Sequence, residues 1–224
     1  MSEPRPGPDP VEWADPVPTY DTVAADYVET FLSELSQKPF DRALLDRFAS
    51  ATQTRATDQS PVCDLGCGPG HIGAYVAGHG IPVVGIDLSP SMVAEARRCF
   101  PQLAFHQGDM TALDWPDGAF AGMVCFYAII HLPRVRVPSA LAEMHRTLVE
   151  GGDLLLAVHG GVGSLHADEM LGHDVTLHAT LFSLGELVGL VETAGFAVVE
   201  AHERDPYETE RSTPRLYLWA TRQP

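Results

Sequence analysis

Closely spaced glycines follow a hydrophobic stretch at residues 64–70, which read DLGCGPG. Because glycine lacks a Cβ, such a loop lets a ligand come close to the backbone, and a helix that starts there adds amide donors and the positive end of its dipole. Asp87 follows about 20 residues later, at the end of the next predicted strand, where its carboxylate can accept hydrogen bonds from ribose hydroxyls. The sequence therefore predicts a site for a ligand that carries a ribose.

The spacing of the glycines distinguishes between classes of nucleotide-binding loop. The dinucleotide fingerprint GxGxxG needs a third glycine at the position that His71 holds, and the GxxxxGK[ST] loop that binds ATP phosphates is absent from the sequence. The residues follow the pattern DxGxGxG instead. This pattern disfavours both a dinucleotide and a P-loop nucleotide.

From residue 61 onward, predicted strands alternate with predicted helices, which indicates an α/β fold built on a parallel sheet. Ser89 is the expected N-cap of one helix, and Ser183 and Glu186 have the spacing of a capping box that opens another. Ligands of open α/β sheets bind at the carboxyl ends of the strands, so the glycine loop and Asp87 are expected to meet there. Strands are expected over 61–65, 82–87, 103–107, 120–127 and 153–159, with a final pair over 198–201 and 215–220.

Three flanking segments differ from this alternation. Residues 1–19 are rich in proline and are expected to form a flexible arm. Residues 20–55 carry apolar residues at helical spacing and are expected to form a helical cap. Residues 160–182, rich in glycine and histidine, interrupt the pattern without marking a second domain, so residues 20–224 are expected to form a single domain.

In this order and at these spacings, the motifs resemble those of the class I S-adenosylmethionine-dependent methyltransferases. The likeness is strongest to the small-molecule enzymes of the ubiquinone and menaquinone methylase group, and it covers the chain from about residue 20 to its end. The resemblance implies a Rossmann-like, seven-stranded, mostly parallel sheet with helices on both faces and a C-terminal antiparallel strand pair. It also implies S-adenosylmethionine as the cofactor, which becomes S-adenosylhomocysteine after it has given up its methyl group.

The same resemblance implies roles for individual positions. The glycine loop would contact the methionine part of the cofactor, Asp87 the ribose, and Asp109 the adenine amino group. Leu88 and Met110 would pack on the adenine ring, and the first helix would close over the cofactor. The cofactor-binding residues expected in this way are Tyr20, Tyr27, Asp64, Gly66, Gly68, Gly70, Asp87, Leu88, Asp109, Met110 and Phe126.

The acceptor side is expected to involve histidines near strand ends. His131 follows the fourth strand, where similar enzymes face the methyl group, and it is expected to contact the acceptor or act as general base, unless it only caps backbone. His159, at the end of the fifth strand, is the second candidate base. Tyr20 and His178 are expected to contact the acceptor, and by resemblance residues 160–182 form a lid over it. The histidines of this lid do not have the spacing of a known metal site, so no metal is expected.

The composition limits the classes of partner. The 224 residues include 30 Asp and Glu against 14 Lys and Arg, for a formal net charge of −16. Nucleic-acid binding needs clustered positive charge, so we expect no nucleic-acid partner, and a neutral or cationic acceptor suits the field better. The sequence has no apolar stretch of ~18 residues, no signal-peptide pattern and no disulfide framework. We therefore expect a cytoplasmic protein without a membrane partner.

The expected function is transfer of the methyl group of S-adenosylmethionine to a small-molecule acceptor, by C-, N- or O-methylation. An aromatic or heterocyclic secondary metabolite is one acceptor class that fits. Two other interpretations stay open: a non-catalytic sensor or scaffold that binds the cofactor or a metabolite, and a nucleotide-dependent oxidoreductase, which the missing third glycine disfavours. A monomer and a homodimer are both compatible with the sequence.

Overall fold

The structure is a computed structural model that describes residue 7 and residues 12–224. The strands of its main sheet are β1 Val62–Leu65, β2 Val83–Asp87, β3 Ala104–Gln107, β4 Phe120–Phe126, β5 Leu148–His159, β8 Phe196–Arg204 and β9 Arg215–Arg222. Two further strands, β6 Ser164–Met170 and β7 His173–Thr180, form a separate hairpin. The helices are α1 Val17–Phe31, α2 Pro39–Thr52, α3 His71–Ala77, α4 Pro90–Cys99, α5 Val137–Thr147 and α6 Leu184–Thr193. Short 3-10 helices span Glu34–Gln37, Ile129–His131 and Arg134–Arg136.

Within the described residues, the main sheet has seven strands in the order β3-β2-β1-β4-β5-β9-β8. Strands β1 to β5 pair in parallel, whereas β9 runs antiparallel to both β5 and β8. The order reverses between β1 and β4, which places the switch point beside the glycine loop that follows β1. The predicted Rossmann-like sheet with its C-terminal antiparallel pair is thus confirmed.

Both faces of the sheet are buried, because successive side chains of each strand point to opposite sides. On β4, Met123 and Cys125 pack into a core with α5, α6 and the hairpin. The intervening Val124 and Phe126 belong to a second core with α2 and α3. This two-sided burial explains why the strands are continuous apolar runs in the sequence.

The helix starts follow the capping residues that the sequence offers. The Ser89 hydroxyl accepts a hydrogen bond from the Met92 amide at 3.0 Å, and the Ser183 hydroxyl accepts one from the Glu186 amide at 3.2 Å. Both serines are therefore N-caps, as predicted, and each satisfies a helix amide that has no partner in the first turn.

The arm and the 160–182 segment differ from the expectation. Residues 1–6 and 8–11 of the predicted arm lie outside the described residues, whereas α1 begins at Val17 and residues 13–16 pack against the site described below. The 160–182 segment is mostly the hairpin of β6 and β7, with Leu171 at φ 53° and Gly172 at φ +83° between the strands. The sequence does not show the apolar–polar alternation that predicts a strand, because outward-facing histidines and acids replace apolar residues on much of the hairpin.

Three strands are also longer than predicted, among them β9, which spans Arg215–Arg222 rather than 215–220. β5 begins at Leu148 rather than 153: Leu148 pairs with Phe120, and the pairing of β4 with β5 is irregular between Phe120 and Gly122. β8 spans Phe196–Arg204 rather than 198–201. Among the described helices, none combines the length and apolarity needed to span a bilayer.

Candidate functional site

A cavity of about 370 Å³ opens at the carboxyl ends of β1, β2 and β4, the place that the sheet topology predicts. It gathers residues from the glycine loop, the strand ends, α1 and the segment before α1. The predicted site residues that line it are Tyr20, Tyr27, Asp64, Gly66, Gly68, Asp87, Leu88, Asp109, Met110, Phe126 and His131.

The three loop glycines are required for different physical reasons, although all have a positive φ. A Cβ on Gly66 would lie 2.0 Å from the Ala128 Cβ, so this glycine allows close packing of the loop on the end of β4. A Cβ on Gly68 would have no described atom within 4 Å, because Gly68 faces the open cavity. Gly70 is not among the described lining residues, and its Cβ would lie 2.7 Å from the Phe105 ring. Gly68 is therefore the loop residue that leaves room for a ligand, whereas Gly70 serves packing.

Asp87 connects the glycine loop to the start of α4. Its Oδ2 accepts a hydrogen bond from the Gly68 amide at 2.7 Å, and its Oδ1 accepts one from the Ser89 amide at 2.9 Å. A carboxylate has about four acceptor positions, so each oxygen can still accept a hydrogen bond from a ligand hydroxyl. Burial raises the pKa of Asp87, while the backbone donors oppose this rise.

Asp64, at the end of β1, is the most deeply buried acid of the cavity. It is 1% exposed, and its Oδ2 accepts a hydrogen bond from the Gly73 amide at 2.7 Å. Burial raises the pKa of Asp64 to about 7. A Cβ on Gly73 would lie 2.9 Å from this oxygen, so α3 can dock on Asp64 only with glycine at that position. Gly73 was not predicted as a site residue; its signal in the sequence is a glycine in the first turn of a helix.

The side of the cavity beyond β2 and β3 combines apolar and acidic groups. Leu88 is 37% exposed and Met110 stands opposite the glycine loop, with its Cε 3.6 Å from the Cβ that Gly66 lacks. Asp109 accepts hydrogen bonds from the Thr111 amide and hydroxyl, both at 2.8 Å through Oδ1. Its Oδ2 lies 4.0 Å from the Arg136 guanidinium, beyond hydrogen-bond distance, so it can still accept from a donor such as an amino group.

The opposite end of the cavity contains a pair formed by Tyr20 and His131. The Tyr20 hydroxyl lies 2.6 Å from His131 Nε2, and His131 Nδ1 lies 3.0 Å from the backbone oxygen of His178. Because a carbonyl oxygen only accepts, Nδ1 carries the ring proton, and Nε2 must accept the hydroxyl proton of Tyr20. Burial lowers the pKa of His131 to about 4 and raises that of Tyr20. Both groups are therefore neutral near pH 7, with a fixed direction of hydrogen bonding.

Tyr27 continues this wall toward the glycine loop. Its ring makes an edge contact with the Tyr20 ring, with centroids 6.0 Å apart, and it packs on Phe31 one turn further along α1. Burial raises the pKa of Tyr27 well above its usual value, so it stays protonated.

Residues 13–16, which we call the wall segment, also line the cavity. The Trp13 indole N–H donates to the backbone oxygen of His131 at 2.8 Å, and the Ala14 amide donates to His178 Nδ1 at 3.2 Å. From the sequence, this segment was expected to belong to the flexible arm. The available signal was a single tryptophan within a proline-rich run, because an aromatic side chain of that size seldom lies free in solvent.

Two predicted histidines are not among the described lining residues. His178 contributes its backbone oxygen to His131, while its side chain contacts Ala14 and His166. His159 lies behind Tyr127, with ring centroids 5.2 Å apart and Nδ1 2.9 Å from the Thr213 hydroxyl. Burial lowers the pKa of His159 well below its usual value.

The electrostatic environment of the cavity favours a cation. Asp64, Asp87, Asp109 and Glu34 all line it, and Arg136 is the one Lys or Arg among the described lining residues. Glu34 was not predicted. It lies 3.1 Å from His71 Nε2 through Oε1 and 2.8 Å from Lys38 Nζ through Oε2.

The other nitrogen of His71 is a buried polar atom with no hydrogen-bond partner in the described part of the chain. His71 lines the cavity beside the glycine loop, where a dinucleotide-binding protein would have its third glycine. A buried orphan nitrogen and an open face at Gly68 are both features that a bound polar ligand would satisfy. Among the residues that the structure describes, no group of three or more His, Cys, Asp and Glu side chains is arranged to hold a metal ion.

Comparison with known proteins relates this arrangement to one family. A model described as a methyltransferase domain matches residues 62–152. The demethylmenaquinone methyltransferase of Beutenbergia cavernae is 36% identical over 141 residues, which cover 62% of this chain and 55% of that protein. An uncharacterized methyltransferase of Synechocystis is 30% identical over 145 residues, which cover 63% of this chain and 68% of the relative.

Solved structures share the fold. A crystal structure from Methanosarcina mazei, described as a SAM-dependent methyltransferase, superposes with a TM-score of 0.67 at 19% identity. The superposition covers 76% of this chain and 96% of that one. The chain spans about half the length of the Beutenbergia relative, at 55%.

Proposed function

The chain belongs to the class I S-adenosylmethionine-dependent methyltransferases of the quinone-methylase-like group, and from this we propose that it methylates a small-molecule acceptor. One observation carries the proposal: the glycine loop, the strand-end acids and the Tyr20–His131 pair open onto the same cavity. One end of that cavity suits a nucleoside and the other end suits an acceptor.

The nucleoside end accounts for most of the predicted cofactor residues. We assign the ribose hydroxyls to Asp87, the adenine ring to Leu88 and Met110, and the adenine amino group to Asp109. Gly68 leaves the space that the methionine part needs. These residues fit S-adenosylmethionine because the cavity is acidic and the cofactor carries a sulfonium and an ammonium group.

S-adenosylmethionine supplies the transferable methyl group and its own leaving group, so that a bond from the acceptor to carbon forms while the bond from sulfur to carbon breaks. The chain's own contribution is to align the acceptor and exclude water. The wall segment and α1 enclose the acceptor end, and Tyr20 and His131 offer the polar contact there.

The direction of the Tyr20–His131 hydrogen bond defines what the acceptor meets. Since the Tyr20 proton points to His131 Nε2, the Tyr20 oxygen presents lone pairs, which accept a hydrogen bond from an O–H or N–H group. A pKa of about 4 makes His131 a weak base. We therefore propose that the acceptor loses its proton during or after methyl transfer, when the methylated O–H or N–H group has become strongly acidic. The acceptor proton then passes to the Tyr20 oxygen while the Tyr20 proton passes to His131 Nε2.

The acceptor class that we propose is an aromatic or heterocyclic compound with a hydroxyl or ring N–H group. Trp13, Tyr20 and Phe126 give the acceptor end aromatic walls, and the Beutenbergia relative is named for demethylmenaquinone. His159 and the His178 side chain receive no contact with the acceptor in this proposal. A cytoplasmic location, a monomer or homodimer, and the lack of a nucleic-acid partner stay predictions.

The test is a screen of aromatic and heterocyclic hydroxyl and N–H compounds with S-adenosylmethionine, read by mass spectrometry. We expect one compound class to gain a methyl group in step with the formation of S-adenosylhomocysteine. Tyr20→Phe should lower the rate about 10- to 100-fold on that compound, whereas Tyr75→Phe, a change of a surface tyrosine bonded to Asp46, should not. Cofactor binding without turnover on any compound would contradict the proposal and favour a cofactor-binding sensor.

A further inference from the structure

A row of hydrogen bonds runs from the β6–β7 hairpin to the wall segment. The Ala14 amide donates to His178 Nδ1 at 3.2 Å, His178 Nε2 lies 3.0 Å from His166 Nδ1, and His166 Nε2 lies 2.7 Å from Asp168 Oδ1. The row begins at the cavity, which Ala14 lines, and ends at a carboxylate that is 85% exposed.

Only one arrangement of protons satisfies every bond of this row. Because the Ala14 amide donates, His178 Nδ1 must accept, so the proton of the neutral His178 ring is on Nε2. That proton is donated to His166 Nδ1, and His166 in turn carries its own proton on Nε2 and donates it to Asp168. The row is therefore directional and requires both rings to be neutral.

Protonation of either ring removes a bond from the row. A proton on His166 Nδ1 would face the His178 Nε2–H across 3.0 Å, so two donors would oppose each other. If His178 shifted its proton to Nδ1 to avoid this, that proton would oppose the Ala14 amide instead. Both routes weaken the attachment of the wall segment.

The same residues brace His131, the acceptor-side histidine. The His178 backbone oxygen accepts the His131 Nδ1 proton, and the Trp13 indole, which donates to the His131 backbone oxygen, packs against the His178 ring with centroids 5.2 Å apart. A displaced His178 would therefore move Trp13 and His131 together.

We propose that His166 and His178 are positioning residues for methyl transfer, which hold the wall segment and His131 in place through a hydrogen-bond row that exists only when both rings are neutral. This inference rests on the proposed function for its link to the acceptor. The two histidines act through Ala14, Trp13 and His131 and need not touch either substrate.

The charges around His178 set the direction of the pH dependence. Burial is the largest effect on the pKa of His178 and lowers it; on β6, His166 also lowers this pKa, whereas the Asp168 carboxylate raises it. On the wall segment, the Asp15 carboxylate accepts a hydrogen bond from the Val17 amide at 3.0 Å. His131, in its 3-10 helix, donates its Nδ1 proton to the His178 backbone oxygen on β7. The lowered pKa of His178 favours the neutral ring that the row requires, and protonation of this ring as the pH falls would break its bond to the Ala14 amide or to His166.

The first experiment measures the rings without any activity. Proton–nitrogen correlation spectra of the histidine rings at pH 7.5 should show both His166 and His178 with the proton on Nε2, and His131 with the proton on Nδ1. Relative to an unstructured amide at the same pH, the Ala14 amide should be strongly protected from exchange at pH 7.5 and about tenfold less protected once His178 is protonated. A His178 ring with its proton on Nδ1 at pH 7.5 would overturn the proposal.

The second experiment uses variants that separate loss of the hydrogen bond between His166 and His178 from a general weakening of the hairpin. Asn at position 166 offers an amide oxygen near the place of Nδ1, so His166→Asn should keep the Ala14 amide protected from exchange. His166→Leu removes the acceptor and should speed exchange about tenfold and raise the acceptor KM about tenfold, with the cofactor Kd unchanged. His173→Asn is the matched control, because His173 lies on the same hairpin but pairs with Asp26 on α1.

The outcomes distinguish this inference from the proposed function. If His166→Leu and His173→Asn affect Ala14 exchange and the acceptor KM equally, the effect comes from general weakening of the hairpin and the inference fails. The ring tautomers and Ala14 exchange could be as expected while the wild-type protein methylates no acceptor. The row would then hold the wall segment as described, but the proposed function would fail, and with it the role of His166 and His178 in methyl transfer.

Discussion

The Asp64 carboxyl accepts a hydrogen bond from the Gly73 amide and is almost fully buried where the end of β1 meets the cavity. A carboxyl whose pKa is raised from 3.8 to about 7 favours its protonated form in the fold. Its charge therefore costs stability once the pH exceeds the unfolded pKa, and the cost is complete above pH 7. Binding of a cation in the cavity would recover this cost, because the opposite charge stabilises the carboxylate.

Removal of the Asp64 charge should therefore raise the free energy of unfolding but lower the affinity for a cationic ligand. Asp64→Asn keeps an oxygen for the Gly73 amide but removes the charge, so it should stabilise the ligand-free protein at pH 8 by about 1–3 kcal/mol. It should also weaken S-adenosylmethionine binding. Chemical denaturation and calorimetric titration measure the two effects, and a variant that loses both stability and affinity would show that Asp64 is a structural acid only.

Asp87 gives a second prediction at the scale of a residue. Asp87→Ala removes the acceptor assigned to the ribose, so the affinity for S-adenosylmethionine should fall by about 1–3 kcal/mol, the cost of leaving a buried donor without a partner. Calorimetric titration measures this change. Asp114→Ala, at an exposed acid of the β3–β4 connection, is the control. Unchanged affinity in Asp87→Ala would remove Asp87 from the site.

At the scale of elements, a buried ionic cluster holds α2 against the C-terminal strand pair. Arg204 of β8 donates to Asp41 of α2 at 3.0 Å and to Glu210 at 2.7 and 3.0 Å, and both carboxylate side chains are at most 3% exposed. Arg204→Leu would leave these two acids buried without their main cation. We expect a loss of about 3–5 kcal/mol in the free energy of unfolding.

Arg47→Leu is the matched control for that change. Arg47 also pairs with an acid, Glu200 at 2.9 Å, but its side chain is 56% exposed, so the loss should be about 0–1 kcal/mol. Denaturant titrations of both variants give the comparison. Equal losses would contradict the claim that the buried cluster, rather than any Arg–carboxylate pair, joins α2 to β8.

The elements also show which features a sequence can predict. The glycine loop, Asp87 and the serine caps were predictable because each depends on residues close in sequence, as the Ser89 cap and the Met92 amide show. The wall segment was not, because Trp13 and Ala14 bond to partners 118 and 164 residues away. No local pattern encodes those contacts.

The same limit applies to the histidines. His131 was predictable from its position after β4, but the sequence does not show that its Nε2 accepts from Tyr20, 111 residues earlier. His178 was predicted to contact the acceptor because it lies in the 160–182 segment, yet its side chain faces His166 across the hairpin. Cross-strand pairing within the hairpin decides this orientation, and that pairing depends on a register that the sequence did not reveal.

At the scale of the whole molecule, buried neutral histidines make the folded state sensitive to acid. The pKa of His131 is lowered from 6.5 to about 4, so its contribution to stability is complete above about pH 6.5 and is lost as the pH falls toward 4. Asp64 acts in the opposite sense over part of this range, because its raised pKa favours protonation. The wild-type melting temperature alone would therefore mix the two effects.

The difference between two proteins isolates the histidine. His131→Asn cannot titrate, so the wild-type protein should lose about 1–3 kcal/mol more than this variant between pH 7 and pH 4.5. Thermal denaturation at several pH values measures this difference. Parallel curves for the two proteins would mean that His131 is not buried as a neutral ring.

The central claim is that the cavity at the carboxyl ends of β1, β2 and β4 binds the methyl donor and its product. Isothermal titration of S-adenosylmethionine and S-adenosylhomocysteine into the purified protein tests it most directly. We predict one site per chain and micromolar dissociation constants for both ligands, with both weakened in Asp87→Ala. Absence of binding for both ligands to a folded protein would contradict the account.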